Sequence, residues 1–374
     1  MGSYNILVTG GAGFIGGHLV DALVERGHRV KILDALVEQA HPAGSPEHLN
    51  REAEFIRGNV CDGEAVARAL DGVDVVYHEA AEVGVAQSMY EIVKYVKTND
   101  LGTAVLLEEM TKRPGQFKKL LVASSNTIYG EGTRECEGCG ERFDPSLRSD
   151  EQLSKRQWEF TCHTCGGVMR SVGTREVKPL FPTTVYAVSK QNQEQYCLAV
   201  GHAYKIPTVA LRYFNVYGTR QTLSNPYTGV CAIFSSRLLN GEAPILFEDG
   251  EQSRDFVHVS DVVQANLLAL DTEGADFGSI NVGTGHATSV KEIARVLAKG
   301  LGKDIDPDIV GKYREGDIRH CIADITKAHS LLRYEPKVDL ESGMAELLEW
   351  VRGQKANDRA HAATAELAAR SLVK

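Results

Sequence analysis

The stretch that most constrains this chain is Gly10-Gly11-Ala12-Gly13-Phe14-Ile15-Gly16. It separates a short apolar run, Ile6 to Thr9, from a segment with helical spacing at Phe14, Ile15, Leu19, Leu23 and Val24. Read as G-x-x-G-x-x-G or as G-x-G-x-x-G, it puts a glycine turn between a strand and a helix, where free amides and the helix dipole hold a pyrophosphate. Glycine triplets recur in ordinary turns, so the flanks decide. Here Gly27 ends the helix, and a second strand, Arg29 to Leu33, finishes at Asp34. A carboxylate at that point accepts hydrogen bonds from the adenosine ribose and repels a 2'-phosphate, which favours NAD over NADP. Gly10, Gly13, Phe14, Ile15, Gly16 and Asp34 are the expected cofactor contacts. Asn59 and Val60, in GNVCD at the end of a third strand, are candidates for the adenine edge, with a plain strand-end turn as the alternative for Asn59.

Further apolar runs at Val73 to Tyr77 and Lys119 to Ala123, separated by helical segments, extend a βαβ rhythm. The spacing predicts a helix over Tyr186 to Tyr204, bounded by Pro182 and Pro207, and a strand over Thr208 to Arg212. From about Asn215 the alternation fades, leaving helices at Ser289 to Leu301 and Leu340 to Arg352. The expected fold is α/β: a Rossmann-like doubly wound parallel sheet with a smaller α/β substrate lobe and a zinc-ribbon-like insert. Its NAD-binding part spans residues 1–133, 176–222 and about 256–285, the insert 134–175, and the substrate lobe 223–255 and 286–353. Residues 354–374, rich in Ala, Lys, Arg and Glu, are expected to be a frayed helix or a disordered tail.

Tyr186-Ala-Val-Ser-Lys190 places a phenol and an ammonium on one helix face. A free phenol, with a pKa of about 10, is a poor base at neutral pH, and a neighbouring cation favours its phenolate. The pair therefore suits acid–base chemistry beside a dinucleotide.

TGGAGFIG, Asp34, HEAA at His78 to Ala81, SSNTIYG at Ser124 to Gly130, YAVSK, LRYFNVYG and RDFVHVSD together resemble the extended short-chain dehydrogenase/reductases, over nearly the whole chain. The resemblance implies that Tyr186 is the general acid or base, that Lys190 holds the nicotinamide ribose, and that Ser125 bonds the reacting sugar oxygen, with Ser124 the lesser candidate. It implies further cofactor contact at Ala80 and substrate contact at Val85, Asn215, Arg254 and Arg314, the last three on a nucleotide diphosphate. Gln87 and Ser88 are expected to border the hexose or to pack the loop, and Asn225 to Tyr227 to lie near the base. Dehydratases of similar build carry an Asp-Glu pair, and decarboxylases a Glu, where this chain has Asn126 and Thr127. What remains is oxidation at C4 and return of the hydrogen to the opposite face, an NAD-dependent nucleotide-sugar 4-epimerase with its cofactor regenerated each turnover. Longer phrases, RYFNVYGTRQTLSNPYTGVCAIFSSRLLNG and GDIRHCIADITKA, look most like bacterial dTDP-L-rhamnose 4-epimerases. UDP-hexose or UDP-uronate 4-epimerases, dehydratases and decarboxylases are the alternatives, and a homodimer through a helix pair is implied.

Eight cysteines divide into four single residues, expected to be buried, and two C-x-x-C pairs, Cys136/Cys139 and Cys162/Cys165, each followed by glycine. Four thiolates form the closed tetrahedral shell of structural zinc, so NAD and a structural Zn are the expected cofactors. Because the insert leads into the helix of Tyr186, it is expected to form a lid or rim over the sugar pocket. A reading of another class makes the ribbon a nucleic-acid module on a non-catalytic dinucleotide fold. A net charge of −9, and eight Lys or Arg against nine Asp or Glu over residues 131–178, argue against nucleic-acid phosphates. No stretch approaches a membrane span and the N-terminus lacks a basic-plus-apolar signal, so a cytoplasmic location is expected.

Overall fold

The structure is a computed structural model that describes residues 2–374. Seven strands form one sheet: β1 (Asn5–Thr9), β2 (Arg29–Asp34), β3 (Glu54–Arg57), β4 (Val75–His78), β5 (Lys119–Ser125), β6 (Thr208–Tyr213) and β7 (Gly278–Val282). Every pairing is parallel, in the order β7-β6-β5-β4-β1-β2-β3. Strands buried on both faces explain the near-continuous apolar runs. Ile6, Val8, Ile32, Tyr77 and Leu121 face one side, against Leu19 and Leu23 of helix α1 (Phe14–Glu25). Leu7, Leu33, Val76 and Leu120 face the other, against α2 (Gly63–Ala69), α3 (Gly102–Thr111) and α4 (Val185–Tyr204). Gly27, at φ +81, supplies the reversal from α1 into β2. The fourth strand begins two residues later than the apolar run suggests, because the Val73 amide still closes the turn onto the Leu70 carbonyl. Strand order reverses between β1 and β4, and a parallel sheet opens a crevice at the carboxyl ends of its strands there.

The smaller lobe packs three helices, Val230–Leu239, Val290–Gly300 and Leu340–Arg352, around Phe234, Leu238, Ile293, Leu297, Leu347 and Val351. Residues 354–374 differ from expectation. They form a helix at Ala360–Ala369, anchored by an Arg237–Asp358 ion pair at 2.8 Å and by backbone pairing of Lys374 with Tyr313. Ala363 and Leu367 are buried, so a composition without a clear stripe still finds a narrow apolar contact. No helix among the described residues is long and apolar enough to cross a membrane.

Candidate active site

A cleft of about 1220 Å³ runs along the carboxyl edge of the sheet and between the lobes. At one end it is lined by Gly10, Gly13, Phe14, Ile15, Gly16 and Asp34, with Asn59, Val60 and Ala80 beyond them. Gly13 is the N-cap of α1, and no side chain among the described residues caps this first turn, so its leading amides are left open. Close approach forces the glycines. A Cβ on Gly10, which sits at φ +70, would stand 2.8 Å from the Ala80 Cα, and one on Gly16 would collide with the Gly10 carbonyl. The Asp34 carboxylate accepts the Ala12 amide at 3.1 Å and the Leu36 amide at 2.8 Å, which fixes it at the cleft wall. Asn59 accepts the Cys61 amide at 2.9 Å and so also serves its own turn. Sequence reading missed the loop that follows β2, where Ala40 to His48 line the same end, because that loop carries neither periodicity nor motif.

Asp34→Ala is expected to weaken NAD binding about tenfold or more, the scale of a lost charge-assisted hydrogen bond. Fluorescence titration of NADH measures it, and unchanged affinity would remove Asp34 from the cofactor site.

At the centre of the cleft, Thr184 caps α4 by accepting the Ala187 amide at 3.2 Å, and the first turns carry Tyr186 and Lys190, both buried. The Ser88 hydroxyl accepts the Tyr186 amide at 3.0 Å and donates to the Val85 carbonyl at 2.6 Å. Ser88 thus fastens the helix start, while Val85 lines the cleft. Burial pushes the Tyr186 phenol up to about 12, and a hydrogen bond with Ser125 pulls it back only in part. The Lys190 Nζ donates to Gln193 Oε1 at 2.7 Å, and burial lowers the ammonium to about 8 despite the charge of Glu79. Glu79, unremarked in HEAA, lies in the cleft wall and accepts from the Tyr213 hydroxyl at 2.8 Å; burial raises its carboxyl to about 7.

The neighbouring serines part company. Ser124 donates to Glu194 at 2.6 Å, and Glu194 also pairs with the buried Arg212, so that hydroxyl is committed to the core. Ser125 accepts from the Thr127 amide and hydroxyl, at 3.2 and 2.9 Å, and lines the cleft beside Tyr186, Asn126 and Thr127.

The far end of the cleft is cationic. Arg254 donates to the carbonyls of Ser253, Ile318 and Arg319 at 2.8–2.9 Å, has no carboxylate within 4.0 Å among the described residues, and has its proton affinity lowered by burial. Arg314 pairs with Asp317 at 2.7 Å and stacks on Phe247. Asn215, in the same wall, holds a buried Oδ1 with no hydrogen-bond partner among the described residues. Tyr227 lines this part too, joined to Tyr90 hydroxyl to hydroxyl at 2.5 Å. Ala363, Thr364 and Leu367 of the C-terminal helix complete the wall, and Arg370 lies over the Tyr90 ring. No residue of 134–175 lines the cleft, so the insert is neither lid nor rim. Ion pairs explain why: Arg148 to Glu248 at 2.8 Å, buried, and Arg319 to the more exposed Glu159 at 2.7 Å tie it to the smaller lobe away from the cleft lining.

In the insert, Arg134–Cys136 pairs with Arg142–Phe143 and Met169–Ser171 in a three-stranded sheet. The four sulfurs of Cys136, Cys139, Cys162 and Cys165 lie within 4.8 Å of one another, with separations of 3.4 Å (Cys136 to Cys165) and 3.7 Å (Cys139 to Cys162). Edges of roughly 3.8 Å are what a tetrahedron with metal–sulfur bonds of about 2.3 Å requires. Gly140 and Gly166, at φ +72 and +71, turn their amides back onto the Cys136 and Cys162 carbonyls. Of the single cysteines, Cys197, Cys231 and Cys321 are buried, whereas Cys61 is half-buried and donates to the Lys97 carbonyl.

Residues 6–152 and 160–283 match the model of the NAD dependent epimerase/dehydratase family, the break falling inside the insert. The chain is 35% identical over 349 residues to a dTDP-L-rhamnose 4-epimerase of Burkholderia thailandensis, covering 92% of this chain and 94% of that protein. Its fold is similar to the UDP-glucose 4-epimerase of Thermotoga maritima with UDP-glucose, at TM-score 0.76 and 36% identity over 93% of this chain and 98% of that one. It is similar also to the Thermus thermophilus UDP-glucose 4-epimerase in complex with NAD, at TM-score 0.74 and 32% identity over 94% and 100%.

Proposed function

Since the chain belongs to the NAD dependent epimerase/dehydratase family, we propose that it inverts C4 of a nucleotide-diphosphate sugar, with dTDP-L-rhamnose as its substrate. The observation that carries the reaction is the pair beside Ser125: Asn126 and Thr127 cannot supply the acids that elimination of water or loss of carbon dioxide needs. The residues present suit NAD, because the uncapped start of α1 offers amides to a pyrophosphate and Asp34 offers a carboxylate to a ribose. NAD, when bound, would supply an acceptor and donor of hydride for C4 and a positive charge that favours the Tyr186 phenolate.

The side chains do the rest. Tyr186 accepts the 4-hydroxyl proton and gives it back after the 4-keto sugar has turned its other face to the cofactor. Ser125 holds the sugar oxygen between Tyr186 and Thr127, and Lys190 holds the nicotinamide ribose. Arg254, a buried cation without a carboxylate, holds the diphosphate with Arg314 and the open Asn215 Oδ1. For the sugar, the Burkholderia relative supports the 6-deoxyhexose.

The four cysteines hold one structural zinc, for the sulfur spacing suits the ion and the closed shell leaves no site for substrate. A homodimer forms through α4 and the segment before α3, where Ile92, Val93, Val96, Val188 and Tyr196 leave an exposed apolar stripe.

Incubating the protein with dTDP-L-rhamnose, UDP-glucose, UDP-glucuronate and GDP-mannose, without added NAD, and resolving the C4 epimers tests this. Turnover of dTDP-L-rhamnose is expected. Epimerisation of a UDP-sugar alone would overturn the substrate, and a dehydrated or decarboxylated product would overturn the argument from Asn126 and Thr127.

A further inference from the structure

Beneath the cleft floor a chain of polar side chains runs from Lys190 into the core, and nothing in the reaction described so far uses it. Lys190 Nζ is buried and has no carboxylate within 4.0 Å among the described residues; its hydrogen bond within the protein goes to Gln193, one turn on in α4. An ammonium can only donate, so the Gln193 atom at 2.7 Å is the carbonyl oxygen. The amide nitrogen must then face the other way. It donates to Thr103 Oγ1 at 2.9 Å, whose own proton goes to the Asn99 carbonyl at 2.5 Å, and it faces His78 Nε2 at 3.1 Å. His78 Nε2 also lies 2.9 Å from Thr103 Oγ1, and its Nδ1 meets Thr9 Oγ1 at 2.8 Å. A neutral ring agrees with its burial, which lowers His78 to about 3. The Lys190 ammonium on one side and the Thr103 hydroxyl, committed to Asn99, on the other give Gln193 one orientation, carbonyl toward Lys190.

We propose that Gln193 is the positioning residue of Lys190: through His78 and Thr103 it is locked with its carbonyl on Nζ, which anchors one ammonium proton and leaves two for the cofactor ribose. This rests on the reading of Lys190 as the residue that holds that ribose. Other groups around Nζ do not substitute for Gln193. Glu79 is directed to Tyr213, Glu194 to Arg212 and Ser124, and Tyr186 to Ser125, while Cys197, on the same helix, is a buried thiol. Gln193 thus sets both the direction of the charge and its persistence near neutral pH, since a buried ammonium without an acceptor sheds its proton more readily.

The sign of the test follows. Lys190 holds ribose while charged, so retention of NAD falls as pH rises through its pKa, depressed by burial to about 8. Gln193→Met removes the acceptor, and the alkaline loss of bound NAD should move down by about one pH unit, with kcat at pH 7 reduced about twofold as the charged fraction of Lys190 falls. Gln193→Glu puts a carboxylate on Nζ, and the same limb should move up. NAD per chain after gel filtration, the pH profile of kcat and thermal melting are measured on both variants, with Lys190→Met as reference. Opposite displacements support the proposal, because a merely structural role would lower the melting temperature without moving the limb in two directions. Coincident limbs in both variants overturn it. Full NAD retention and turnover in Lys190→Met would instead remove the role of Lys190 itself.

Discussion

Replacing Tyr186 by Phe is expected to lower kcat on the order of a thousandfold while NAD stays bound. Positioned acid–base groups contribute about 10² to 10⁴ in rate, and at the middle of that range the loss is about 4 kcal/mol of barrier. The substitution is clean because the ring is retained. Tyr186 packs edge-on against Tyr95 with centroids 6.3 Å apart, and its amide stays on Ser88 at 3.0 Å. Only the hydroxyl that meets Ser125 is lost, so the fold and the glycine turn of the cofactor are untouched. Turnover of the 4-epimer pair, read beside bound NAD per chain, separates the two effects. Undiminished turnover would take Tyr186 out of the mechanism, and loss of NAD together with turnover would show that the ring serves binding instead.

Cys162→Ser is expected to release the zinc and to open the outer half of the insert. Elemental analysis should find about one zinc per unmodified chain, as a single four-thiolate site holds. The insert cannot hold that half by burial alone. Its own apolar cluster is Cys136, Cys162 and Met169, with Phe143 and Phe160 only partly covered. In so small a unit metal binding is folding free energy. The base behaves differently, since Arg148 and Glu159 remain paired to the smaller lobe through Glu248 and Arg319. Limited proteolysis should therefore cut near 137–141 and 163–168 in the variant and spare the seven-stranded sheet. Epimerase activity should persist, because no insert residue lines the cleft. A protease-resistant, metal-free insert with a Cys136–Cys165 disulfide would overturn the zinc reading.

Local patterns carried the fold. The apolar runs Ile6 to Thr9, Arg29 to Leu33 and Lys119 to Ala123 are short-range signals, and parallel strands buried on both faces show them directly in composition. The placement of Tyr186 and Lys190 on one helix face follows from a spacing of four, and the knuckles at Gly140 and Gly166 follow from C-x-x-C-G. These features depend on neighbours within about one turn. Tertiary structure decided what depends on distant partners. Ser124 and Ser125 are alike in sequence, but Glu194, which the packing of α4 on β5 brings alongside, withdraws one of them. Lys190 lies on the expected face, yet its ammonium points where Gln193, His78 and Thr9 direct it, a chain assembled from two strands and a helix. The tail has too weak a stripe to announce a helix, and the Arg237–Asp358 pair and the shelf formed with Tyr313 order it against the cleft. The insert looked like a rim because its chain enters α4, and ion pairs to Glu248 and Arg319 carry it to the other side. Periodicity records which face of an element is buried. The direction of a polar side chain is set by which donor or acceptor the packed fold places within 3 Å or so of it, whether 3 residues on, as Gln193 is from Lys190, or 70, as Glu194 is from Ser124.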